Sequence, residues 1–81
     1  MYALKTKSYI SGYTFIVEVR KAEEGEKEYQ DPGAWEDLKI YATKSELKNA
    51  IMGILERNGE QGELERLMAL ADKNEATTST N

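Results

Sequence analysis

The stretch EEGEKEYQDPGAWEDLK, residues 23–39, sets seven carboxylates (Glu23, Glu24, Glu26, Glu28, Asp31, Glu36, Asp37) against Lys27 and Lys39. It also holds the chain's one Trp and one Pro. Carboxylates at this density can do three kinds of chemistry. A close pair can divide acid and base roles in catalysis. Alternating Asp and Asn ligands around a central Gly can hold calcium. An exposed acidic edge can steer a basic partner or imitate nucleic-acid phosphates. The first needs a cleft that raises one pKa selectively, and nothing in this polar segment predicts a cleft. The second needs a ligand spacing that the run lacks. The third stands beside a plainer reading, a solvated hairpin tip whose charges deter edge pairing. Trp35 within the run favours a contact, because a spacer has no use for an indole.

Other catalytic chemistries find little support. The chain has no Cys and no His, which removes disulfides, Cys/His zinc sites and every Ser-His or Cys-His nucleophile. Ser8 and Ser11 therefore have no imidazole base. The lysines fall on polar positions rather than in the desolvated pocket that lysine catalysis needs. Gly53, Gly59 and Gly62 lack the spacing and the preceding strand of a phosphate-binding loop. The expectation is a protein that is not an enzyme and has no metal or cofactor.

Eighty-one residues make one domain, with a core that buries about 60 % of the unfolded surface. No apolar run approaches the ~20 residues of a membrane span. Lys5, Lys7 and Ser8 interrupt the basic-then-apolar order of a signal peptide, so a soluble intracellular protein is expected. The net charge of −4 is unevenly spread. Residues 1–22 carry Lys5, Lys7, Arg20 and Lys21 against Glu18. Residues 23–37 set the seven carboxylates against Lys27, and the remainder is nearly balanced. Direct nucleic-acid binding normally needs a basic domain, so it is not expected.

The elements that must position these residues read clearly. Tyr13 to Arg20 alternates with period two, which is the strand signal. Tyr2 to Tyr9 alternates more weakly, and Ser11-Gly12 between the two suits a tight hairpin. Asp31-Pro32-Gly33 marks a turn, and Trp35 to Ala42 alternates again. Glu26 to Tyr29 carries a weak strand pattern, hairpinned back through Gly25. Thr43-Lys44-Ser45-Glu46 has capping-box spacing. Leu47, Ala50, Ile51, Ile54 and Leu55 then make an amphipathic stripe, closed by Asn58-Gly59. Leu64, Leu67, Met68 and Ala71 form a second stripe. The fold class is α+β: a three- or four-stranded antiparallel sheet followed by two helices packed on one face. The domain covers residues 1–74, and residues 75–81 form a polar, disordered tail.

Helices on one face leave the other in water. The alternation allots Tyr2, Leu4, Tyr13, Phe15, Val17, Val19, Leu38, Ile40 and Ala42 to the core. Lys5, Lys7, Tyr9, Ile16, Glu18, Arg20, Trp35, Asp37, Lys39 and Tyr41 fall to the open face. Aromatics and Arg dominate many binding surfaces. The candidate partner-binding set is therefore Trp35, Tyr41, Arg20, Lys39 and Tyr9, with Glu24, Glu26 and Glu28 steering. The alternative is cross-strand packing on a wet face.

The order of an N-terminal hairpin (YISGYTFIVEV), strand-turn-helix (LKIYATKSELKNAIMGIL), link (NGEQG) and closing helix (ELERLMALADKN) resembles that of small phage-encoded anti-CRISPR proteins. The likeness covers most of the chain and is one of size, acidity and layout. It implies a monomeric or homodimeric inhibitor in the cytoplasm of a bacterial host. Such an inhibitor binds a CRISPR effector or a similar nucleic-acid-handling complex. It contacts protein rather than nucleic acid or membrane, with the acidic segment as a DNA mimic. The rival reading is a small phage or prophage structural or assembly protein that self-associates through its helices at Leu64 and Met68.

Overall fold

The central strand, β1 (Tyr2–Ser8), carries the sheet because it pairs antiparallel on both sides. The computed structural model describes residues 1–77. On one side of β1 lies β2 (Thr14–Lys21), and on the other β4 (Glu36–Tyr41). The short strand β3 (Tyr29–Asp31) pairs with the far edge of β4, giving the order β2-β1-β4-β3. Helices α1 (Lys44–Asn58) and α2 (Leu64–Thr77) follow, joined by a single 3-10 turn at Gln61–Glu63. This is the expected α+β arrangement, with four strands. Among the described residues no helix is long and apolar enough to cross a membrane.

The core forms where the helix stripes meet the β1–β2 side of the sheet. Leu4 and Val19, direct partners across the two strands, pack with Leu47, Ile51, Ile54, Leu55, Leu67 and Ala71. Each large side chain removed from water contributes roughly 1.5–3 kcal/mol. Helix α1 starts as its sequence predicts. Thr43 Oγ1 accepts from the Glu46 N–H at 3.2 Å, and Glu46 reaches back to the Ala42 N–H at 3.1 Å. It ends at Gly59 (φ 71°), where the Glu60 N–H closes onto the Leu55 carbonyl at 2.8 Å. A left-handed residue followed by this bond is the usual glycine stop.

Three expectations about faces and boundaries are corrected. First, β2 contains a bulge. Its pairing with β1 steps from Lys5↔Glu18 to Thr6↔Ile16, so Val17 has no partner. The extra residue inverts the alternation: Ile16 packs against the core and Val17 is exposed. Second, β4 presents its other side. Directly paired residues share a face, and Leu4 is paired with Lys39, Tyr2 with Tyr41. Lys39 and Tyr41 thus lie on the helix side, whereas Leu38 and Ile40 lie opposite. Third, the weak strand predicted at Glu26 to Tyr29 begins only at Tyr29, and it pairs with β4 instead of turning back on β2. Helix α2 runs through Thr77, three residues into the segment expected as a disordered tail; residues 78–81 lie outside the described residues.

The face away from the helices is not open, as the alternation implied. Ala3 and Leu38 are buried there. Because β2 and β3 occupy opposite edges, residues 22–28 must cross the sheet. They cross on this face, where Arg20, beside Ala3 in register, grips Glu26. The β4 face assignment failed because both sides of the sheet are covered, so both sides of β4 demand some apolar contact.

These assignments predict unequal sensitivities to mutation. Ile51→Ala should cost about 2–5 kcal/mol in urea unfolding, from lost burial plus a cavity. Val17→Thr, at the exposed bulge, should stay within about 0.5 kcal/mol of wild type.

Candidate functional site

Two turns meet at one end of the sheet. The β1–β2 hairpin uses a three-residue loop, Ile10-Ser11-Gly12. The Tyr9 N–H donates to the Tyr13 carbonyl at 2.8 Å, and the Gly12 N–H to the Tyr9 carbonyl at 2.8 Å. Gly12 has φ 96°, the left-handed closing residue that this loop needs. The β3–β4 turn is built on Asp31, whose Oδ1 accepts from the Gly33 and Ala34 N–H groups at 3.1 and 3.2 Å. Pro32 presets the bend. The two turns are tied by the Ser8 N–H, which donates to the Trp35 carbonyl at 2.9 Å.

The outcome is an aromatic end. Tyr9, Tyr13 and Phe15 stack with centroids 5.4–6.2 Å apart, and such pairs add about 0.5–1.5 kcal/mol each. Ile10 at the loop tip is 88 % exposed, and Trp35 on the adjoining turn is half exposed. Trp35 has φ 59°. That left-handed conformation costs a residue with a Cβ roughly 1–2 kcal/mol. A groove of about 660 Å³ continues from this end, between the hairpin and the α1–α2 connection. It is lined by Tyr9, Tyr13, Ile16, Asn58, Arg66 and Leu67 among others. Arg66 is held by Glu63 at 2.7 Å. This arrangement suits recognition, with rings and an apolar tip for contact and a polar rim beside them.

The eight residues singled out from the sequence do not form one surface. Tyr9 and Trp35 belong to the aromatic end. Glu24 lies exposed at the opposite end of the strands, in the acidic turn around Gly25. The seven residues of β1 put roughly 20 Å between the two ends. Arg20 and Glu26 neutralise each other in a bidentate pair of 2.8 and 2.6 Å. Glu18 joins Arg20 at 3.4 Å and Lys5 at 3.8 Å. Glu28 accepts from the Ile40 N–H at 2.9 Å. Tyr41 is half-buried against the core, and burial, then the charge of Glu28, raises its pKa. Lys39 is exposed on the helix side. Tyr13 and Ile10, both exposed, were missed, and Phe15, half-buried, stacks on Tyr13. The signal was present in YISGY, because residues flanking a three-residue hairpin loop cannot lie under the helices.

The acidic segment is thus partly structural. Glu26 also accepts from the Glu23 N–H at 2.9 Å. The Arg20 hydrogen bonds first, and the Glu23 N–H second, pull its pKa from 4.5 down to about 2. The same bonds push the Arg20 pKa up. Among the described residues no cluster of three or more acidic groups is arranged to hold a metal. No family model, curated protein or solved structure matches the chain.

Two measurements check this description. A carboxylate with a depressed folded pKa stabilises the fold above its unfolded pKa, and that stability is lost as pH falls through the folded value. Wild type should therefore lose stability between about pH 4.5 and 2. Glu26→Gln should be less stable at neutral pH and show a flatter profile across that window in urea titrations. Trp35→Gly should stay within about 1 kcal/mol of wild type in thermal or urea unfolding, since relief of the left-handed strain offsets the added chain entropy and the lost burial of a half-exposed indole.

Proposed function

We propose that the chain is a non-enzymatic binding protein that docks its aromatic end onto a protein component of a nucleic-acid-handling defence complex and blocks it, in the manner of anti-CRISPR inhibitors. The observation that carries this reading is Trp35, kept half exposed in a strained left-handed conformation on the turn that is bonded to Ser8, at the end of the sheet where Tyr9, Ile10 and Tyr13 are exposed. Strain that contributes nothing to the core is most often retained for function, and exposed aromatic clusters are where binding energy concentrates. The defence-complex partner comes from the resemblance in layout. The acidic segment has a smaller part than the sequence suggested. Glu26 and Glu28 are engaged within the fold, leaving Glu23 and Glu24 for steering.

The second reading, a phage structural or assembly protein, draws on a different surface. Leu64 and Met68 pack only partly against the core and line a shallow cleft with Lys44 and Lys48 between the helices. A concentration-dependent oligomer abolished by Met68→Glu would favour it.

The test of the first reading separates binding from folding. Affinity capture from cells carrying candidate defence complexes should recover an effector with wild type. Trp35→Gly and Tyr13→Ala should weaken that binding by at least about 30-fold, ~2 kcal/mol. Trp35→Gly should do so while its stability stays within about 1 kcal/mol of wild type. Full binding by both variants overturns the assignment of this end.

A further inference from the structure

We propose that Glu28 closes an exposed edge of the sheet, and that without it two copies of this chain pair edge to edge. Strand β3 covers only part of β4: Tyr29 stands opposite Leu38, Gln30 opposite Asp37 and Asp31 opposite Glu36. Continuing that register would set Lys27 opposite Ile40, and a carbonyl at residue 27 would accept the Ile40 N–H. The strand does not continue: β3 begins at Tyr29, directly after the segment that links the two edges of the sheet. The Ile40 N–H is met instead by the Glu28 carboxylate at 2.9 Å. A side chain takes the place of the missing strand.

The opposite edge shows the same device. In β2 the Tyr13 carbonyl turns inward to Tyr9, so the next carbonyl, that of Thr14, points off the sheet. It accepts from Asn58 Nδ2 of α1 at 2.8 Å. Side chains from separate elements thus occupy backbone groups on both outer edges. Sheet edges with free backbone groups are templates for pairing with another chain, and folded proteins blunt them. The β4 edge is the more open of the two, since β3 has three residues, all exposed.

The occupant of an opened edge is a second copy of the chain. The edge segment is complementary to itself. Antiparallel pairing centred on Tyr29 sets Lys27 of each copy opposite Asp31 of the other, and Glu28 opposite Gln30. In that register the outward groups of residues 28 and 30 face their partners, because residues 29 and 31 are turned inward to β4. Two attractive charge pairs and a central pair of tyrosines favour this alignment. Glu28, while bound to Ile40, keeps residues 27 and 28 out of strand β3; released, they lengthen β3 into the segment 27–31 that this alignment pairs.

The proposal concerns the edge alone and is independent of the proposed partner. Its test is sedimentation velocity over a concentration series, with hydrogen exchange of the Ile40 amide, on the full chain. Wild type should remain monomeric. Glu28→Ala should associate as concentration rises, and at low concentration its Ile40 amide should exchange about tenfold faster or more. Glu28→Gln keeps an acceptor oxygen of the same reach and should behave as wild type. If alanine prevents folding, Glu28→Ser, too short to reach Ile40, replaces it. A folded Glu28→Ala or Glu28→Ser that stays monomeric at every concentration overturns the proposal. So does wild-type association that the variants leave unchanged.

Discussion

The crossing of the sheet by residues 22–28 is the constraint on which most of this structure depends. Placing β2 and β3 at opposite edges obliges the chain to traverse a face already complete in its backbone hydrogen bonds. Ala22 still donates to the Met1 carbonyl at 2.9 Å, and beyond it side chains hold the segment to the sheet. Here they are charged, with Arg20 reaching from the sheet to Glu26 and drawing Glu18 and Lys5 into the same group. Exposed ion pairs usually contribute little. This one is bidentate and half-buried, and Glu26 is also anchored to the backbone of Glu23, a geometry in which such pairs count for more.

The crossing explains several otherwise separate features. It lies on the face where Ala3 and Leu38 are buried, so a sheet with helices on one side is apolar in part on both. It draws carboxylates into structural roles, so the acidity of the segment overstates the charge left free. It also shortens β3 to three residues, which leaves the Ile40 N–H to Glu28.

The two ends of the molecule differ in character. The turns that close β1 onto β2 and β3 onto β4 lie together because β1 is antiparallel to both of its neighbours. Their large exposed side chains, Tyr9, Ile10, Tyr13 and Trp35, are aromatic or aliphatic. The opposite end carries the acidic turn and the start of α1. Opposed polarity of this kind suits a protein that presents one end to a partner and keeps the other solvated.

Much of this was legible in the residues themselves. Alternation in TFIVEVR, the glycine in YISGY, the cap at Thr43 and Glu46, and the stop at Gly59 are local signals, each acting over a few residues. They located three of the four strands, the first hairpin and both helices, but set β3 too early in the chain. Tertiary structure decided what no local signal encodes. A single unpaired residue, Val17, inverts the faces of half a strand, and period two is blind to one insertion. Alternation also says which residues of β4 share a side, but not which side the helices take. That choice follows from β1, whose Leu4 is paired at once with Val19 and Lys39. The aromatic end gathers residues 9–15 and Trp35, brought together by one backbone bond between distant segments, and Glu28 finds Ile40 twelve residues away. Composition could announce acidic and aromatic residues, but only the path of the chain across its own sheet determined which remained free to act.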